Sequence, residues 1–117
     1  MGKMTKAFVL AVLVLCLCAS LAAAARLPKV TMLSTRTCPA CVQMTKVLKQ
    51  IDAQYAGRLA TQHVYLEESP ELVEKYNIRY VPVLIFVDGK GQEVAQEVGY
   101  HSLEQVLSVF KKHGVKI

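Results

Sequence analysis

Two cysteines three positions apart, Cys38 and Cys41, are the residues of this 117-residue sequence best suited to chemistry. They follow a short apolar run and open a segment with helical spacing, so we expect both in the first turn of a helix. Unpaired N–H groups and partial positive charge at a helix N-terminus favour a thiolate, which is the reactive form of cysteine. We therefore predict that Cys38 is a nucleophile and that Cys41 is the resolving thiol.

The neighbours of the two cysteines modulate this reactivity. Pro39 suits the first helical turn, where its missing N–H costs nothing. Ala40 has no side-chain group that can hydrogen-bond a thiolate, so we expect the pKa of Cys38 to fall below that of a free thiol without reaching the lowest known values. Arg36 lowers this pKa further if its side chain points toward Cys38, and is otherwise a solvated loop charge.

The first part of the sequence has the pattern of an export signal. Residues 7–25 carry no charge, follow two lysines and end in a run of alanines that includes Ala23-Ala24-Ala25, the small residues that a signal peptidase requires. We predict a signal peptide over residues 1–25, cleaved after Ala25 or Ala24, and a single folded domain over residues 26–117. The alternative is an uncleaved membrane anchor, because the uncharged stretch is just long enough to span a bilayer.

The number and spacing of the cysteines agree with export of a redox protein. Cleavage would remove Cys16 and Cys18 and leave only one closely spaced pair. Small exported domains that depend on disulfides have four or more cysteines spread through the fold. A bond that closes so short a loop stabilises little, so we expect the pair to serve chemistry in an extracytoplasmic compartment such as the periplasm.

Charge and ligand counts argue against several other functions. The formal net charge is +5, but Lys and Arg form no run along the sequence and are not interleaved with aromatic residues, so we expect no nucleic-acid partner. A structural zinc site needs four ligands, and the domain has no second pair of cysteines. We therefore expect no metal and no cofactor.

The elements that position the cysteines follow from hydrophobic periodicity. Strands are predicted at 29–34, 61–67, 83–87 and 93–98, and helices at 38–57, at 70–76 and from 103 onward. A helix separates the first two strands, which should therefore be parallel with a right-handed crossover, whereas the last two form a hairpin. The expected architecture is an α/β fold, a four-stranded mixed sheet in the order 2-1-3-4 with helices on both faces.

This combination resembles the thioredoxin superfamily. The C-x-x-C motif opens the first helix, and segment 75–82 is similar to the one that ends in the family's cis-proline. Asp88-Gly89 and Val98-Gly99 lie where the family has a hairpin turn and a glycine before its last helix. The similarity covers residues 29–114. It implies a minimal thioredoxin-like domain, because the predicted mature chain has no room for the strand and helix that precede the cysteines in classical thioredoxins.

The resemblance also implies further site residues. Pro82 should be cis and pack against the disulfide, which leaves the backbone of Val81 free to pair with an extended substrate; the alternative is an ordinary trans proline. The family's buried acid corresponds to Met32 here, so a proton relay through a buried acid is not expected. The nearby basic residue corresponds to His63, which could take part of that role because histidine titrates near neutrality, and is otherwise a packed or surface residue.

The function that the resemblance implies is exchange of disulfides with protein substrates. The thiolate of Cys38 would attack a substrate disulfide and Cys41 would then release the product, or the reverse. Expected partners are protein disulfides or dithiols and a membrane thiol electron donor or acceptor, and we expect a monomer. Two alternatives remain: a Cu(I) carrier, because two thiolates suit Cu(I), and a binding module that keeps the fold without turnover.

Overall fold

The computed structural model describes residues 26–117, together with residues 8, 9, 11 and 12, which are helical. The rest of the segment predicted to be a signal peptide or anchor lies outside the described residues. Among the helices that are described, none is both long enough and apolar enough to cross a bilayer.

The strands and helices follow one another along residues 29–112 in the predicted order. The elements are β1 (Lys29–Ser34), α1 (Pro39–Gln54), β2 (Ala60–Tyr65), α2 (Glu71–Lys75), β3 (Val83–Val87), β4 (Glu93–Val98) and α3 (Leu103–Lys112). β1 pairs in parallel with β2 and antiparallel with β3, and β3 pairs antiparallel with β4. The sheet order is β2-β1-β3-β4, so the predicted four-stranded mixed sheet is confirmed. The second strand ends at Tyr65 rather than at residue 67, because the amides of Glu68 and Ser69 turn back to the carbonyls of Tyr65 and Leu66.

The larger part of the core lies between the sheet and helices α1 and α3. Alternate residues of β1 and β3 point to this face and are fully buried, as period-two side-chain alternation requires. The rings of Phe86 and Phe110 meet edge to face with centroids 5.1 Å apart. A capping box between Ser102 and Gln105 fixes the start of α3, and this holds the apolar face of the helix against the sheet.

The opposite face of the sheet is covered by the five-residue helix α2 and the segment that follows it. Leu33, Val83 and Ile85 are buried there, with Leu72 and Ile78 packed against them. β3 is therefore buried on both faces, as its continuous apolar sequence predicts.

The sheet topology determines where the candidate site forms. In the antiparallel pair of β1 and β3, Leu33 lies opposite Val83. The chain that leaves β1 toward Cys38 therefore lies beside the chain that enters β3 through Val81 and Pro82. Two segments that are far apart in sequence meet at one edge of the sheet.

Candidate active site

Cys38 and Cys41 occupy the start of α1 and form a disulfide. Cys38 is the N-cap residue with an extended backbone (φ −106°, ψ 108°), and Pro39 takes the first helical position. The N–H of Cys41 donates to Sγ of Cys38 over 3.1 Å. A donor aimed at this sulfur favours its ionised form once the disulfide is reduced. Ala40 lies between them, half-buried, with no polar side-chain atom to offer.

The two cysteines differ in accessibility and in surroundings. Cys38 is 9 % exposed and Cys41 is 4 % exposed, so an approaching disulfide reaches Cys38 first. Sγ of Cys38 lies 3.8 Å from the carbonyl oxygen of Val81, and the Val81–Pro82 peptide bond is cis. The carbonyl of Pro82 accepts a hydrogen bond from the N–H of Gly99 over 2.8 Å. This bond ties the loop after β4 to the same edge of the sheet.

Large apolar side chains are exposed on the segments that surround the cysteines. One is on the first turn of α1, one precedes Val81, and two belong to the end of β4 and the loop after it. These four residues, which we call the apolar rim, are Val42 (57 % exposed), Tyr80 (74 %), Val98 (54 %) and Tyr100 (51 %). Large exposed apolar side chains on neighbouring segments are candidates for a protein interaction surface.

His63 forms a hydrogen-bonded pair with Ser34, the last residue of β1. Ser34 is fully buried, and its Oγ lies 2.5 Å from Nε2 of His63. The ring of His63 also packs against Tyr65, with centroids 4.4 Å apart. Burial lowers the pKa of His63 below its ordinary value. Met32, which is paired with His63 in the parallel register, is fully buried in the core. No sequence motif pointed to Ser34, because its partner lies on the neighbouring strand.

Arg36 lies in the turn between β1 and Cys38 and contacts the turn that follows β2. Its guanidinium forms an ion pair with Glu68 and lies 4.5 Å from the ring centroid of Tyr65. Its backbone N–H donates to the carboxylate of Glu67, and this hydrogen bond holds the pKa of Glu67 below its ordinary value. The guanidinium is thus an exposed loop charge that contacts a carboxylate and an aromatic ring.

Within the described part of the chain, no group of three or more His, Cys, Asp or Glu side chains is placed to hold a metal ion. The Cys38–Cys41 pair itself has the chemistry of a dithiol and its disulfide.

Comparison with known proteins agrees with this geometry. A thioredoxin-like domain family matches residues 19–114. The thioredoxin of Staphylococcus aureus is 32 % identical over 76 residues, which cover 65 % of this chain and 72 % of that protein. A thioredoxin-like protein from Clostridium perfringens superposes with a TM-score of 0.66 at 28 % identity, over 77 % of this chain and 73 % of that one.

A more distant structure shares the fold alone. Thioredoxin-2, described as a component of the malaria parasite's protein secretion machinery, superposes with a TM-score of 0.66 at 20 % identity, over 75 % of this chain and 84 % of that one. The family match, together with the Cys38–Cys41 pair, supports thiol-disulfide redox activity in general terms. With nearly the whole described domain matched, the chain belongs to the thioredoxin-like family.

Proposed function

We propose that this protein is an exported thiol-disulfide oxidoreductase that exchanges disulfides with protein substrates through Cys38 and Cys41. The observation that carries the proposal is the position of Cys38. Cys38 is the N-cap of α1, and its sulfur accepts a hydrogen bond from the N–H of Cys41. The same sulfur lies 3.8 Å from the carbonyl oxygen of Val81.

The exchange proceeds in two substitutions at sulfur. In the reducing direction, the Cys38 thiolate attacks one sulfur of the substrate disulfide; a mixed disulfide forms and the other substrate sulfur leaves as a thiolate. The thiolate of Cys41 then attacks Sγ of Cys38, which forms the Cys38–Cys41 bond and releases the second substrate thiolate. Two electrons pass to the substrate, and the reverse sequence oxidises a substrate dithiol.

The surroundings of Cys38 favour a polypeptide substrate. A substrate cysteine that reaches Cys38 brings its own backbone past Val81, where an extended chain can pair with the main chain as an added strand does. The apolar rim offers Tyr80 and Tyr100, and tyrosine is enriched at the centres of protein interfaces. A small thiol would leave this rim uncovered, so the exposed area supports a protein disulfide or dithiol.

Export is proposed from the sequence of residues 7–25, which are uncharged and end in small residues. For the exported domain we propose a membrane thiol protein as partner, which donates electrons to the Cys38–Cys41 disulfide or accepts them from the dithiol. We propose that the domain acts as a monomer, with one cysteine pair in each molecule.

Reduction of insulin by dithiothreitol tests the proposed activity. Residues 26–117 should accelerate precipitation of the reduced insulin chains, whereas Cys38→Ser and Cys41→Ser should both remove the acceleration. Absence of acceleration by the unaltered domain would contradict an oxidoreductase. If that domain also retained Cu(I) through Cys38 and Cys41, the copper-carrier alternative would replace the proposal.

A further inference from the structure

The end of the domain opposite the cysteines has a concentration of basic side chains. β1 runs toward the cysteines and therefore begins at this end, where α1 and α3 terminate and the turn between β3 and β4 lies. α1 has 16 residues, so the two ends are separated by about 24 Å along its axis. Exposed cations from several separate segments meet here, and we call them the basic pole: Arg26, Arg58, Lys90, Lys111, Lys112 and Lys116.

Two adjoining grooves connect these cations with apolar side chains. The larger, of about 560 Å³, has Arg58, Lys111 and Lys116 at its exposed edge and the half-buried Leu107 and Ile117 between them. The second groove, of about 390 Å³, shares Lys116 with the first and extends to Lys90. Arg26 donates a hydrogen bond to the carbonyl of Lys90. The basic pole is thus one continuous surface with apolar side chains set among its charges.

Most of the acidic side chains lie toward the other end of the domain. They are on the turn after β2, on α2, at the end of β4 and at the start of α3: Glu67, Glu68, Glu71, Glu74, Glu97 and Glu104. Three acidic residues lie near the basic pole: Asp52 in the last turn of α1, whose carboxylate accepts a hydrogen bond from the hydroxyl of Thr61, Asp88, which accepts hydrogen bonds from the amides of Lys90 and Gln92, and Glu93, which begins β4. The charge of the domain is therefore unevenly distributed, and the end opposite the cysteines has an excess of positive charge.

Stabilisation of the fold accounts for only some of the cations at the basic pole. Lys111 and Lys112 lie in the last turn of α3, where cations complement the helix dipole. Arg26, Lys90 and Lys116 belong to no helix, and their side chains reach solvent. Cations interspersed with apolar side chains are the arrangement by which peripheral proteins bind an anionic lipid surface.

The path of the chain agrees with such a surface. Arg26, at the basic pole, directly follows the uncharged residues 7–25 of the sequence. Under the proposed export, on which this placement rests, Arg26 puts this pole nearest the lipid while residues 7–25 are held in the membrane. The cysteines are at the far end.

We propose that the basic pole binds the surface of a membrane containing anionic phospholipids, so that Cys38 faces away from the lipid toward the aqueous compartment. Anionic head groups complement Arg58, Lys111 and Lys116, which lie around the groove that the half-buried Leu107 and Ile117 also line. The attraction acts within a Debye length, about 10 Å at moderate salt. The domain therefore binds by this face and presents its cysteine pair to proteins in solution.

Vesicle flotation tests the proposal with residues 26–117, which contain every described strand, α1 to α3 and both core clusters. The domain should float with phosphatidylcholine vesicles that contain about 30 mol % phosphatidylglycerol and not with phosphatidylcholine alone. Binding should disappear at about 0.5 M NaCl. The triple variant Arg58→Gln/Lys111→Gln/Lys116→Gln should lower the partition constant about 100-fold, since each basic residue near the surface contributes about fivefold.

A matched control removes equal charge elsewhere. Lys46→Gln/Lys75→Gln/Arg79→Gln should change the partition constant less than fivefold, and insulin reduction by both triple variants should match that of the unaltered domain. The single change Lys116→Gln should lower binding about fivefold, and this keeps the test valid if the triple variant unfolds. Equal losses in the two triple variants, or no flotation with anionic vesicles at low salt, would overturn the proposal. Retention on immobilised polyglutamate without vesicle binding would assign the pole to an acidic polypeptide instead.

Discussion

Sγ of Cys38 lies 3.8 Å from the carbonyl oxygen of Val81, although the two residues belong to segments far apart in the sequence. The contact follows from the antiparallel pairing of β1 with β3, which places Leu33 opposite Val83. The same edge of the sheet thus holds a reactive sulfur and a stretch of main chain that a substrate can pair with.

The first prediction concerns the order in which the two thiols react. In the reduced domain, the N–H of Cys41 and the start of α1 favour the Cys38 thiolate, so the pKa of Cys38 should lie below the ordinary thiol value of about 8.5. Iodoacetamide labelling followed by peptide mass analysis across pH measures this. Cys38 should be alkylated before Cys41 at every pH below that value; earlier labelling of Cys41 would reverse the assigned roles.

The apolar rim should affect protein substrates selectively. The double variant Tyr80→Ser/Tyr100→Ser removes two exposed aromatic contacts, each worth roughly 1 kcal/mol or more if they lie at the centre of the interface. The KM for insulin should therefore rise about 30-fold or more, while the rate with the small disulfide of Ellman's reagent stays unchanged. Val73→Ser, an exposed apolar residue on α2 outside the rim, serves as the matched control. Equal effects on both substrates would remove the rim from substrate binding.

The pair of His63 and Ser34 should make stability depend on pH. The pKa of His63 is lowered by burial, so its contribution to the free energy of unfolding is present above the unfolded value of about 6.5 and is lost as the pH falls through the lower folded value. Urea denaturation should show this loss in the unaltered domain. His63→Gln should remove that component of the decline, whereas His113→Gln, at the exposed end of α3, should retain it. Identical pH profiles for His63→Gln and the unaltered domain would contradict the assignment.

Export should leave a defined N-terminus. In cells that produce the full chain, N-terminal sequencing of the extracytoplasmic protein should begin at or next to Arg26, because the alanines before it satisfy a signal peptidase. Recovery of the intact sequence beginning at Met1 in the membrane fraction would instead favour the anchor.

The sequence predicted those features whose causes are local. The runs of apolar residues predict β1 and β3. The spacing of Ser102 and Gln105 predicts the capping box that begins α3. The sequence predicts the end of β2 two residues too late. The backbone turn after Tyr65 contains no glycine or proline that would have indicated it.

Features assembled from separate segments could not be predicted in the same way. The Ser34–His63 hydrogen bond depends on the register between β1 and β2. The basic pole combines Arg26, Arg58, Lys90 and the last residues of the chain, so no basic run appears in the linear sequence. The fold alone brings these side chains together.

Trapping of the mixed disulfide tests the central claim most directly. Cys41→Ser lacks the resolving thiol, so the reduced variant should attack a peptide disulfide and accumulate a stable adduct whose mass equals the domain plus one peptide chain, located on Cys38 by fragmentation. Cys38→Ser should form no such adduct under the same conditions. An adduct on Cys41 of Cys38→Ser, or none in either variant, would contradict the account of Cys38 as the nucleophile of a thiol-disulfide exchange protein.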